Sequence, residues 1–433
     1  MNFVKANILN FALTAAVYVV NLLVSIAIAR ILGPEETGHF QIFVSTQTIL
    51  VTFFSLGLGQ ASIYFHNAKK IPIDDIISTT LKVEALVSLA IIGSICGLVY
   101  FNTDYFGVIS AGALIWYSLG SSALLFTTAM RPLLLAHMQV GKNGMVQIVA
   151  SLGVLFLIGI CYWMGNSIEV GTLLIIYGVA SIASAALLFK YFSRDFHLKR
   201  KINFPLFKSI AKLGTLMSGN IMAQTLVSNA PLYALSWMLV SGFQDVGYFS
   251  RCISICMIAT FINNAIGPLL YAKLTGCSEE EKRQQTKLAA SFFLIFNCVM
   301  ILVLEIAAGW IIRILYGAEF MPAVPMLRVM LLTLLFSGAK EVSINLIASV
   351  GRPVKILYNL IINFVVVAIL LFFLIREFGS IGAVWAVVIT TAVTSMLLIR
   401  ESAKLLNMRY SDFFCINRRQ LGECLRVIKD GIK

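Results

Sequence analysis

The sequence has few charged residues and none of the common motifs for catalysis or nucleotide binding. Asp, Glu, Lys and Arg make up 12% of the 433 residues, whereas soluble domains carry about 25%. It contains no GxxxxGKS/T phosphate loop and no HExxH motif, and its eight Cys form no CxxC pair. We therefore expect a protein that is not an enzyme, binds no metal or organic cofactor and does not use ATP directly.

Long apolar runs occupy the chain instead. Hydrophobic residues make up 59% of it, and the mean hydropathy is +0.90. Runs of 18 or more nearly uncharged residues are typical of transmembrane helices, and they lack the alternation of a transmembrane barrel. The sequence thus predicts an all-α integral membrane protein. Its first run, residues 6–32, is too long for a cleavable signal, so we expect it to stay in the mature chain.

The apolar runs predict twelve transmembrane helices with both termini in the cytoplasm. Their predicted bounds are 6–32, 38–66, 77–101, 107–136, 143–165, 168–192, 209–239, 244–273, 286–315, 323–349, 354–375 and 380–406. Of the 33 Lys and Arg, 27 fall on the side of the termini, three on the other side and three inside helices. The positive-inside rule assigns the side with 27 to the cytoplasm. The net charge of +13 then faces anionic membrane lipid rather than nucleic acid.

Short motifs recur about 210 residues apart. Gly33, Gly38 and Phe40 reappear as Gly242, Gly247 and Phe249, each at an offset of 209. We interpret these matches as two parallel six-helix repeats related by an axis along the membrane normal. The predicted organisation is an N-terminal bundle, a basic amphipathic linker, a C-terminal bundle and a basic cytoplasmic tail, at residues 1–192, 193–212, 213–406 and 407–433.

Ionisable side chains inside predicted helices are the first candidates for a site. Arg251, Arg328 and Lys340 outnumber Glu305 and Glu341. A charge in hydrocarbon is costly unless it faces water, a ligand or a partner. A basic cavity suits an anionic ligand, and the planar guanidinium fork suits phosphate. The alternative is interhelical ion pairing, such as Glu305 with a neighbouring Arg.

Amide side chains form a second candidate set. Asn10 and Asn21 lie on a polar stripe of the first predicted helix, and Asn220 and Gln224 repeat that stripe on the seventh. Such a stripe either lines a polar cavity or lets helices pack closely. The sequence alone does not favour one of these interpretations.

Five motifs, spread over both halves, carry a family resemblance. They are ARILGPEETGHF (29–40), QDVGYFSRC (244–252), LYGAEFMPAVPMLRVM (315–330), GRPVKILYNLIINF (351–364) and FGSIGAVWAVVIT (378–390). In this order the chain resembles the polysaccharide, or O-antigen-type, translocases of the multidrug/oligosaccharidyl-lipid/polysaccharide exporter superfamily.

That resemblance implies two six-helix bundles around a V-shaped cavity and transport by alternating access in the bacterial inner membrane. It implies a substrate that is an undecaprenyl-pyrophosphate-linked oligosaccharide, flipped from the cytoplasmic to the periplasmic leaflet. The resemblance does not fix the site residues. The burial argument assigns Arg251, Lys340 and Arg328 to substrate, and Asn10, Asn21, Asn220 and Gln224 to the substrate's sugars. Glu305 or Glu341 would couple a proton or Na⁺.

Other functions stay open at this point. A cation-coupled multidrug exporter of the same superfamily would favour acidic residues in its cavity. A membrane glycosyltransferase or polymerase of the same pathway would need a large outer loop, and the predicted outer loops are short. Membrane lipid, a polymerase and chain-length proteins are the expected partners of a flippase, and nucleic acid is not.

Overall fold

The computed structural model is almost entirely helical. It describes residues 3–67, 71–101, 106, 109–136, 139–165, 167–195, 204–275, 277–352 and 354–414, and no strand occurs among them. The α-helices are α1 (Phe3–Phe54), α2 (Leu58–Asn67), α3 (Ile73–Phe101), α4 (Ala111–Ala136), α5 (Val140–Trp163), α6 (Val170–Asp195), α7 (Phe204–Met238), α8 (Gly242–Thr275), α9 (Glu279–Leu315), α10 (Ala323–Leu331), α11 (Thr333–Ser349) and α12 (Val354–Leu406). Two 3₁₀ turns, Ala318–Phe320 and Tyr410–Phe413, complete the described elements.

Several of these helices are suited to crossing a membrane. Among the described residues, eight helical stretches are long and apolar enough, and the chain is a multi-pass membrane protein. One crossing needs about 20 residues, yet two stretches, Phe11–His66 and Val354–Leu406, have 56 and 53 residues. Each is long enough for more than one crossing. The helix labels therefore do not count crossings, and the number twelve stays a prediction.

The longest helices bend at glycines. Gly33 has φ 72° and ψ −179° inside α1, and Gly379 has φ 61° inside α12. Positive φ is accessible to glycine without a steric penalty. Pro34 follows Gly33, where its fixed φ suits the first position of a new helical stretch. The bend confirms the predicted turn, but the predicted non-helical residues 33–37 are wrong, because the helix resumes at Pro34.

The chain divides into two compact units, unit 1 from Met1 to Leu226 and unit 2 from Val227 to Lys433. The division lies inside α7. The predicted domain bounds stay a prediction, and parts of the predicted linker (196–203) and tail (415–433) lie outside the described residues.

Unit 1 is held together by packing among α1 to α6 and the first part of α7. The helices α4 and α6 approach closely because Gly120 faces Gly178, where either Cβ would collide with the opposite backbone. An apolar cluster forms where the start of α3, the end of α4, the start of α5 and the end of α6 meet. Its fully buried members are Ile77, Met130, Leu133, Leu134, Val146, Leu188 and Phe192.

Unit 2 is built around α11, which packs against α8, α9 and α12. Phe293, Val342, Leu346 and Ile399 are fully buried at this junction. These helices, together with α10, bring the ionisable residues predicted from the sequence into one packed unit.

The sequence analysis missed a break in the second predicted helix. Residues 55–57 leave the helix between α1 and α2, with positive φ at both Leu56 (47°) and Gly57 (61°). A Cβ at Gly57 would lie 2.3 Å from the carbonyl oxygen of Gly214 on α7. The break is therefore fixed by a direct backbone contact within unit 1.

We predict that Gly57→Ala destabilises the protein through this contact. Gly165→Ala is the matched control, because Gly165 also has positive φ (70°) but no atom within 4 Å of its would-be Cβ. Both variants carry the conformational cost of an alanine at positive φ. Only Gly57→Ala adds overpacking, which costs about 1–3 kcal/mol more. Thermal unfolding of the purified protein in detergent measures the difference, and equal unfolding temperatures for the two variants would contradict the contact.

Candidate functional site

The amide residues predicted to contact sugar lie in unit 1. Asn21 on α1 and Gln224 on α7 are exposed, and Asn220 is half-buried. The Oδ1 of Asn220 accepts no hydrogen bond from the described residues. Asn220 and Gln224 are four residues apart, so they lie on one face of α7. The side chain of Asn10 lies outside the described part of the structure.

A small cavity, also in unit 1, lies at the break between α1 and α2. It is lined by side chains of Thr52, Ser55, Gln60, Thr128 and Ser218, among other residues. The four hydroxyls donate to carbonyls three or four residues earlier on their own helices, at 2.7–3.1 Å. A hydroxyl that has donated its proton can still accept. The cavity therefore presents hydrogen-bond acceptors, which suit donors such as sugar hydroxyls.

The predicted ionisable residues all lie in unit 2, where Arg251 is the most buried of them. Arg251 lies on α8 and is 4% exposed, and its Nε donates to Ser250 Oγ at 3.3 Å. The conformation described here covers this guanidinium. An anionic substrate would reach it only after the surrounding helices of unit 2 move apart.

Lys340 and Glu341 are half-buried neighbours on α11. Glu341 Oε1 accepts from Asn345 Nδ2 at 2.8 Å. The same oxygen lies against Gly267 on α8, where a Cβ would collide with it. The Glu341 carboxylate thus fits into a gap that a glycine leaves.

Arg328 and Glu305 form an ion pair, with 3.6 Å between Arg328 Nε and Glu305 Oε2. This is the structural alternative that the sequence left open for both residues. The remaining candidates in unit 2 are two cations, Arg251 and Lys340, and one carboxylate, Glu341. The excess of cationic over anionic side chains that the sequence predicts for the site therefore depends on Arg251 and Lys340.

The sequence analysis missed an amide–hydroxyl cluster in unit 2. Asn263 on α8 and Asn297 on α9 both donate from Nδ2 to Ser337 Oγ on α11, at 3.0 and 3.3 Å. Their Oδ1 atoms are buried and accept no hydrogen bond from the described residues. Ser337 is three residues before Lys340 and four before Glu341, so all three share one face of α11. No sequence motif marked this cluster, because its members come from three separate helices.

Comparisons with known proteins identify related sequences and folds. The model of a family described as "Polysaccharide biosynthesis protein" matches residues 3–271. A search of curated proteins finds no match.

Among solved structures, the chain is similar to lipid II flippase MurJ in an inward closed conformation, with 14% identity, a TM-score of 0.78 and coverage of 94% of this chain and 89% of that one. It is similar to an inward-facing multidrug resistance MATE family transporter of the MOP superfamily, with 13% identity, a TM-score of 0.71 and coverage of 93% and 98%. It is also similar to a MOP superfamily transporter from Pyrococcus furiosus, for which a reverse polarity of binding pocket suggests a different function. The values there are 12% identity, a TM-score of 0.67 and coverage of 95% and 96%. At these identities the likeness shows a shared fold.

We predict that Ser337→Ala destabilises unit 2 more than Ser349→Ala does. Both serines lie on α11 and donate to the carbonyl three residues earlier, at 3.0 and 2.8 Å. Only Ser337 also accepts from two buried amides, and a buried donor left without a partner costs about 1–3 kcal/mol. Thermal unfolding of the two variants tests this cluster. Equal losses would mean that the amides find other acceptors.

Proposed function

This chain belongs to the polysaccharide biosynthesis protein family, and we propose that it is a flippase for an undecaprenyl-pyrophosphate-linked oligosaccharide. It moves this repeat unit from the cytoplasmic to the periplasmic leaflet of the bacterial inner membrane for surface polysaccharide of the O-antigen type. The observation that carries the proposal is the pair of cations Arg251 and Lys340, inside helices of a chain with a transporter fold.

The chemistry of the substrate explains why such cations are needed. A diphosphate with attached sugars loses its hydration when it enters hydrocarbon, and that loss is costly unless the protein supplies partners. A guanidinium or an ammonium supplies charge-assisted hydrogen bonds to phosphate oxygens. Arg251 and Lys340 take this role, with Arg328 contributing when its pair with Glu305 opens. Asn10, Asn21, Asn220 and Gln224 bind the sugars.

Alternating access supplies the movement. Twelve crossings in two parallel six-helix repeats, with both termini cytoplasmic, let a polar binding region open to one leaflet at a time. Arg251 is covered in the present structure, so the transport cycle includes a conformation that uncovers it. A proton or Na⁺ provides the driving force, with Glu341 and Glu305 as the carboxylates predicted from the sequence. A polymerase and chain-length proteins of the same pathway receive the product.

A cation-coupled multidrug exporter is the second candidate, because the MATE family transporter shares the fold over 93% of this chain. The sign of these two charges separates the two functions. A cationic drug would be repelled by Arg251 and Lys340, whereas a pyrophosphate would be attracted.

We predict that Arg251→Ala or Lys340→Ala abolishes most surface polysaccharide at normal membrane levels of the protein. Each removed charge deletes hydrogen bonds that contribute about 1.5–3 kcal/mol, which corresponds to a fall of about tenfold or more in export. The matched control is Arg376→Ala, because Arg376 is exposed and lies over the Phe372 ring at 5.2 Å. It should leave export unchanged.

Immunoblots of membranes and staining of surface glycan measure the two quantities. Arg251→Lys separates charge from the guanidinium fork: partial export would show that charge alone contributes. Normal glycan in both alanine variants would remove these residues from the site.

A further inference from the structure

One buried carboxyl group in unit 1, that of Glu84, is not among the site residues predicted from the sequence. Glu84 lies on α3, eleven residues after Ile73, which places it about 16 Å along the helix axis and inside the candidate membrane span Asp74–Phe101. The residue is 2% exposed. A glutamate inside a membrane span is costly to keep unless it has a function.

Glu84 has no partner among the described residues. Its Oε1 and Oε2 are both buried and make no hydrogen bond. The carboxyl lies in a groove whose other lining residues are mostly apolar and come from three helices: Leu81, Ala85 and Ser88 of α3, Ala123 and Phe126 of α4, and Ile182, Ala185, Ala186 and Phe189 of α6. Glu84 is the single ionisable residue among them.

Three other carboxylates inside helices differ in this respect. Glu305 pairs with Arg328, Glu341 accepts from Asn345, and Glu401 pairs with Lys355. Each therefore has a partner that stabilises its ionised form. Among the described residues, Glu84 is the buried carboxyl-bearing residue, and its surroundings supply no such partner.

The charged and histidine side chains on the neighbouring helices do not compensate for Glu84. Among the described side chains, those on the elements packed against or lining this region are Arg30, Glu35, Glu36 and His39 on α1, His66 on α2, Asp74, Asp75 and Lys82 on α3, Arg131 on α4, and Lys190 and Arg194 on α6. Arg131 Nε donates to Asn143 on α5 at 3.1 Å. Lys82 is two positions from Glu84, which places it on another face of α3.

We propose that Glu84 is a proton-binding carboxyl, additional to the carboxylates predicted from the sequence, and that it couples transport to a proton gradient. An ionised carboxylate in an apolar groove without a partner is strongly disfavoured, so the conformation described here holds the protonated acid. Release of the proton requires a conformation in which water enters the groove. On uptake, a hydronium ion on one side of the membrane gives its proton to a carboxylate oxygen: one O–H bond breaks in hydronium and one forms on Glu84. On release, the carboxyl O–H bond breaks and the proton bonds to a water molecule on the other side.

This inference rests on the proposed flippase function only for the identity of the cargo. Proton binding at Glu84 can be tested without any substrate. Dicyclohexylcarbodiimide is an apolar reagent that adds to a protonated carboxyl to give a stable acylurea, with no leaving group. The full-length protein in lipid vesicles is treated over a range of pH, and the adduct is located by peptide mass spectrometry.

The expected result is an adduct on Glu84 that declines as the pH rises and is lost in Glu84→Gln. Glu401→Gln is the matched control and should label like the wild type, because Glu401 is ion-paired. The absence of a Glu84 adduct at every pH would overturn the proposal. Equal thermal unfolding of Glu84→Gln and the wild type confirms that the variant folds.

A second experiment, a transport assay, tests whether Glu84 couples flipping to a proton gradient. Flipping of lipid-linked oligosaccharide is measured in vesicles with and without a pH gradient. The gradient should stimulate the wild type and Glu84→Asp, whereas the ratio of the two rates should fall to about one in Glu84→Gln. A wild-type ratio in Glu84→Gln would contradict coupling through Glu84. If the wild type flips nothing, the proposed cargo fails, and the labelling result still decides whether Glu84 binds a proton.

Discussion

The loss of water in the bilayer core is the constraint on which this structure depends. Backbone groups in hydrocarbon must bond to each other, and helices allow this within one segment. The side chains obey the same constraint. Hydroxyls of Thr48 and Thr52 donate to carbonyls of their own helix, and Arg328 pairs with Glu305. Polar groups with such local partners stabilise the fold and need no ligand. The groups that lack them are where a transported molecule or ion has something to contribute.

Those groups occur in both units. In unit 1 they include the Oδ1 of Asn220 and the carboxyl of Glu84, and in unit 2 the Oδ1 atoms of Asn263 and Asn297. These atoms show that, among the described residues, not every buried polar group has a hydrogen-bond partner in this conformation. A transporter requires this property, because its binding groups must gain and lose partners during the cycle. The break at Leu56 and Gly57 and the bends at Gly33 and Gly379 are positions where helices depart from regular geometry.

The helical class, the bend at Gly33 and the position of the ionisable residues could be read from the sequence, because apolar runs, Gly-Pro and charge are local signals. The break at residues 55–57 could not, since it depends on contact with Gly214, more than 150 positions away. The pairing of Glu305 with Arg328 was foreseen as an alternative, but the sequence could not choose it. Glu84 went unnoticed because its lack of a partner is a property of three packed helices.

Reconstituted flipping tests the central claim most directly. The purified full-length protein is placed in liposomes that contain lipid-linked oligosaccharide, and a membrane-impermeant lectin or glycosidase reports the glycan on the outer leaflet. The flippase account predicts protein-dependent transfer between leaflets that is lost in Arg251→Ala and retained in Arg376→Ala. Absence of transfer, together with export of a fluorescent cation by the same liposomes, would contradict it and favour a multidrug exporter.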